Sequence, residues 1–93
     1  MRRGLAKMPF VYILKSSSGK YYVGSTLDLR KRLRDHRSGQ TYSTNRMGEL
    51  NLIFSQEYSS LSDARSVERK LKKLKRRDYI ENIINEGKIK LRP

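Results

Sequence analysis

Two short segments, "FVYIL" at 10–14 and "YYVG" at 21–24, flank the polar run "KSSSGK". β-Branched and aromatic side chains suit a pleated surface, and Ser/Gly residues between two such segments turn the chain back, so the spacing predicts a β-hairpin. Each arm carries a phenol, Tyr12 and Tyr22. Paired residues in an antiparallel hairpin lie on one face, so these two share a face only if the turn has an odd number of residues or contains a bulge. Gly24, with no side chain, lets a backbone or ligand approach closely where the second strand ends.

The hairpin is followed by alternating helical and extended signals. Ser25 or Thr26 supplies an N-cap, Asp28 suits the positive end of a helix dipole and Gly39 suits a C′ position, predicting a helix over 28–38. Its apolar stripe is narrow, Leu29 and Leu33, and cations crowd the remainder. "QTYSTNRMGE" has turn formers and no period, and reads as a loop. "LNLIFSQEY" predicts a third strand with Leu50, Leu52 and Phe54 alternating against Asn51, Ile53 and Ser55. In "SLSDARSVERKLKKLKRRD", Ser60 and Asp63 have capping-box spacing and Ala64, Val67, Leu71 and Leu74 recur at helical intervals. A last amphipathic piece, 79–86 with Ile80, Ile83 and Ile84, stops at Gly87 and leaves a short basic tail, 87–93. The order predicts an α+β fold, a small three-stranded, mainly antiparallel sheet flanked by helices. Ninety-three residues suit a single domain, 1–93, with its core over about 9–86.

Composition narrows the partners. The chain has no cysteine, which removes disulfides and thiolate zinc sites and is compatible with a cytoplasmic home. No apolar run approaches the roughly 20 residues that cross a bilayer, and "MRRGLAKMPF" lacks a signal-like hydrophobic stretch, so a soluble protein is expected. Twenty-two Lys and Arg against nine Asp and Glu give a net charge of +13. That excess calls for a polyanion. A membrane surface would require a basic helix with aromatic residues on its other face, whereas the chain has no Trp and both Phe lie in apparent strands, so nucleic acid is favoured.

Three further residues have chemistry to offer. Arg32 and His36, four apart, project from one helix face: arginine clamps phosphate with paired donors and histidine moves protons near neutral pH. The plainer reading makes them two solvated helix residues. Glu68, one of few acids, lies beside Val67 of the apolar stripe, where a carboxylate could hold a hard divalent cation with water and phosphate oxygens. Its plainer role is an i, i+4 ion pair with Lys72.

Taken together, "VYI" at 11–13, "YVG" at 22–24, the following "ST", "DL" and "RLRDH", "YST" at 42–44 and Glu68 in "VERKLK" resemble the GIY-YIG nuclease family, in particular its small stand-alone bacterial members. The resemblance runs from Pro9 to about Lys75. It implies that Tyr12 and Tyr22 line an active site in which a tyrosine activates water, that Arg32 stabilises the phosphate and that His36 assists proton movement. Glu68 corresponds to the carboxylate that binds one divalent metal ion, Mg2+ or Mn2+. Val11 stands where the family has glycine and Val23 where it has isoleucine. The late asparagine of longer members is left unassigned between Asn82 and Asn85.

The expected activity is metal-dependent hydrolysis of DNA phosphodiester bonds with low sequence specificity, with DNA the partner and no membrane or small-molecule cofactor. A phenol acting as base would need its pKa of roughly 10 lowered by nearby cationic charge. Arg30, Lys31, Arg34, Arg46, Lys72, Lys73 and Arg76 are the candidate DNA-binding cations, with the run from Arg69 to Arg77 as the leading stripe. Two other readings stand beside this one: a non-catalytic nucleic-acid binder on the same fold, and a nuclease subunit needing a partner. The oligomeric state is left open.

Overall fold

The computed structural model describes residues 8–37, 50–74 and 76–93, with the side chains of 35–37 excluded. Three strands, β1 (Phe10–Ser16), β2 (Tyr21–Thr26) and β3 (Leu50–Glu57), form one antiparallel sheet in the order β2-β1-β3. Helix α1 (Leu29–Arg37) joins β2 towards β3, and α2 (Leu61–Leu74) and α3 (Arg77–Glu86) follow. The fold is α+β.

The hairpin turn has three residues, Ser17, Ser18 and Gly19. Ser16 N–H donates to Lys20 O at 2.8 Å, Gly19 N–H donates to Ser16 O at 2.9 Å, and Gly19 takes φ 90°, the left-handed conformation that closes such a loop. An odd turn sets the register Tyr12↔Gly24 and Leu14↔Tyr22, so Tyr12 and Tyr22 share a face as diagonal neighbours.

The two faces of β1 are both buried, which explains its unbroken apolar run. Val11 and Ile13 enter a core with Val23, Ala64, Val67, Leu71, Ile80, Ile83 and Ile89, supplied by β2, α2, α3 and the C-terminal segment. Each such fully buried aliphatic side chain contributes on the order of 2 kcal/mol. Tyr12 and Leu14 occupy the opposite face, the side of α1. The narrow Leu29/Leu33 stripe of α1 is only half-buried.

Several local details depart from the sequence expectations. The cap of α1 is Asp28, whose Oδ1 accepts the Lys31 N–H at 3.1 Å, while Thr26 Oγ1 accepts the Asp28 N–H at 3.1 Å and turns the chain into the cap. In β3 the register shifts between Ile13↔Phe54 and Leu14↔Leu52, leaving Ile53 as the extra residue of a bulge. Leu52 and Phe54 therefore do not share a face: Phe54 and Ile53 pack on the core, and Leu52 stays 40% exposed. The helix beginning at Leu61 ends at Leu74, itself exposed, and α3 starts at Arg77. Ser60 Oγ caps α2 by accepting the Asp63 N–H at 3.0 Å, but Asp63 turns to Ser59, so only half of the capping box forms. Gly87 ends α3 at φ 82° as expected. Beyond it the basic segment is docked. Ile89 is buried in the core, and the Gln56 amide both accepts its N–H at 2.8 Å and donates to its carbonyl.

Candidate active site

β2 is an edge strand, and the site forms where its last residues meet groups from both faces of the sheet. Tyr12 projects from β1 across Gly24. A β-carbon at position 24 would collide with the Tyr12 hydroxyl oxygen and lie 2.5 Å from Cζ, so the ring occupies the space that every other residue would fill with its own side chain. The close approach that glycine permits is thus made by a neighbouring phenol. At the end of that reach, Arg32 from α1, Tyr22 and Glu68 lie near enough to the Tyr12 hydroxyl to act on it electrostatically, Arg32 favouring its ionised form and the other two opposing it.

Glu68 arrives from α2 on the other face. Ser25, opposite Val11 on that face, donates its hydroxyl proton to Glu68 Oε1, and Lys72 Nζ stands 2.6 Å from Oε2. The i, i+4 ion pair therefore forms, and the same carboxylate also ties α2 to β2. Lys72 further lies 5.9 Å from the centre of the Tyr22 ring. Arg65, Arg69 and Lys72 surround Glu68 in a shallow depression of about 300 Å³.

The electrostatics of Tyr12 run against one expectation. Burial pushes its pKa up to about 12, and the Arg32 charge only partly offsets this. Cationic surroundings do not make this phenol an easily ionised base: at neutral pH it is a proton donor.

Four of the five residues singled out as catalytic candidates, Tyr12, Tyr22, Arg32 and Glu68, thus meet at one edge of the sheet. The backbone of His36 lies in α1 one turn after Arg32; its side chain, like Arg46 and the whole of 42–44, lies outside the described residues. Ser25 was not anticipated in the site. Its signal was register, since an odd turn places residue 25 on the face that α2 covers.

The candidate DNA-binding cations are dispersed. Arg30, Lys31 and Arg34 are exposed on α1, and Lys72 and Lys73 on α2. Arg76 pairs with Asp78 at 2.7 Å. The stripe from Arg69 to Arg77 is not continuous, because α2 ends within it and Lys70 Nζ is drawn to the Arg92 and Pro93 carbonyls, at 2.7 and 3.1 Å.

For a metal ion the donor set is spare. Among the described residues no three His, Asp or Glu side chains cluster. Glu68 with the Ser25 hydroxyl nevertheless offers hard oxygen donors beside an open depression. Mg2+ commonly takes one or two carboxylates and fills its shell with water and substrate phosphate, so these residues fit it once Lys72 releases Oε2.

Residues 8–82 match the GIY-YIG catalytic domain, and the chain belongs to the GIY-YIG family, which points to a nuclease. Its relatives include a UPF0213 protein of Streptococcus pneumoniae, 36% identical over 80 residues covering 84% of this chain and 79% of the relative. The UPF0213 protein YhbQ of Escherichia coli is 34% identical over 79 residues, covering 84% and 78%. The solution structure of UPF0213 protein BH0048 from Bacillus halodurans shares 30% identity and superposes with a TM-score of 0.55 over 86% of both chains.

Proposed function

We propose that this protein is a metal-dependent DNA endonuclease or nickase of low sequence specificity, with its catalytic centre at the β2 edge. The observation that carries the reading is the placement of the Tyr12 hydroxyl in the gap left by Gly24, where Arg32, Tyr22 and Glu68 converge on it from three other elements. Such a constellation supplies what phosphodiester hydrolysis requires: donors for developing negative charge and a carboxylate for a cation.

Each group has a distinct task. Arg32, beside the phenol, turns its guanidinium donors to the phosphoryl oxygens. Tyr12 is protonated and donates a hydrogen bond to an oxygen of the reacting phosphate. Tyr22, on the open edge, flanks the scissile linkage. Glu68, held by Ser25, would hold the divalent cation, which would leave Lys72 free to meet phosphate. When bound, Mg2+ or Mn2+ supplies Lewis acidity to the phosphoryl oxygens and to water. His36, one turn along α1 from Arg32, is assigned to proton movement at the leaving oxygen. Exposed cations such as Arg30, Lys31, Arg34 and Lys73 contact the phosphate backbone, which positions DNA without reading its sequence. Arg46 joins them in this role.

Nicking of supercoiled plasmid tests the proposal. Cutting is expected with Mg2+ or Mn2+ and none with EDTA, and Glu68→Ala and Tyr12→Phe are expected to lose at least about a hundredfold in rate while keeping their circular dichroism. Equal cutting by parent and both variants would refute it. DNA binding that ignores EDTA, with no cutting under any metal, would favour a non-catalytic binder.

A further inference from the structure

A second concavity adjoins the site and is not explained by it. Between β2, α2 and α3 lies an open groove of about 460 Å³, within the roughly 300–1,000 Å³ of small-molecule sites. Val23, Leu71 and Ile80 give it an apolar floor, which is the outer margin of the core. Its cationic rim is Lys20, Lys72, Arg76 and Arg77. Tyr22 and Lys72 border both this groove and the site around Glu68.

One wall is held in a fixed arrangement. The Arg77 guanidinium lies 5.0 Å from the centre of the Tyr21 ring, and its Nε donates to Glu81 at 3.2 Å. The Tyr21 hydroxyl donates to the same carboxylate oxygen, and Lys15 Nζ sits 5.5 Å from the ring. A planar cation is thereby parked on an aromatic ring beside an apolar floor. Guanidinium planes and aromatic rings are the surfaces on which unpaired bases stack.

We infer that the groove receives the base of one unpaired nucleotide of the DNA strand being cut, with its flanking phosphates on Lys20 and Arg76. The inference rests on the nuclease reading for the identity of the strand. Charge complementarity selects this occupant. Lys20 makes no ion pair among the described residues, and the carboxylates that face the other rim cations, Glu68, Asp78 and Glu81, hold them in ion pairs with half-exposed cations, of the kind a phosphate readily replaces. An apolar floor inside a basic rim matches a base between two phosphates. The shared Tyr22 and Lys72 place that base next to the scissile linkage. The enzyme would therefore prefer nicked, gapped or bulged DNA to an intact duplex.

Fluorescence anisotropy in EDTA, where no cutting occurs, tests this without relying on catalysis. The probes are a labelled duplex, the same duplex with one bulged nucleotide, and the bulged duplex with that nucleotide abasic. The parent protein is expected to bind the bulged duplex roughly fivefold or more tighter than the other two. Arg77→Lys keeps the charge but not the plane, and is expected to keep duplex affinity and lose the preference. Equal affinity for bulged and abasic probes, or a preference that survives Arg77→Lys, would overturn the inference even if plasmid nicking succeeds. Dimerisation in sedimentation that Arg77→Lys abolishes would assign the groove to a second copy of the chain and overturn it as well.

Discussion

The Tyr12–Gly24 pair is the residue-scale hinge of this account. Tyr12 is 1% exposed, so its ring has no room to step aside for a β-carbon at position 24. Gly24→Ala is expected to cost about 1–3 kcal/mol in urea denaturation through overpacking, and to lose cutting with it. The raised pKa gives a second handle. A phenol whose folded pKa is about 12, against roughly 10 unfolded, adds stability that is complete below pH ~10 and is lost as pH rises through ~12. The loss, discounted for the partial solvent screening of the hydroxyl, is on the order of 2 kcal/mol. Denaturation measured across that window is expected to be flatter in Tyr12→Phe than in the parent. It will not be level, since burial also raises the pKa of Tyr58. The sequence named both tyrosines and the need for an odd turn or a bulge, because parity is fixed by counting. It could not say that Tyr12 resists ionisation, because desolvation depends on how closely the other elements pack around the ring.

Elements were legible where one period governed them and obscured where two did. The hairpin, the stripe of α2 and the Gly87 stop follow from local pattern. The β3 bulge at Ile53 does not, because a single inserted residue changes phase without any change in composition. The C-terminal segment misled for a related reason: "GKIKLRP" carries three cations in seven residues, yet Ile89 is buried and Leu91 packs against the core, with Gln56 meeting the Ile89 backbone on both sides. Ile89→Ala is expected to cost about 2 kcal/mol or more in urea denaturation, with the unfolding slope unchanged. A loss of a few tenths would mean that the segment is not part of the core.

On the scale of the whole molecule, a +13 chain assembles a compact polar centre at the open edge of its sheet, using an acid from one face and a guanidinium from the other. Helix order made the cations predictable but not their allocation: Lys72 is bound to Glu68 and Lys70 to the C-terminal carbonyls, so net charge overstates how many remain for phosphate. The central claim is that Tyr12 and Glu68, 56 positions apart in sequence, act as one catalytic unit. Groups that act as a unit are strongly non-additive. The direct measurement is the Mg2+-dependent plasmid nicking rate of the parent, Tyr12→Phe, Glu68→Gln and the double variant. The account predicts that the double variant is no slower than the slower single one; losses that multiply across the pair would contradict it.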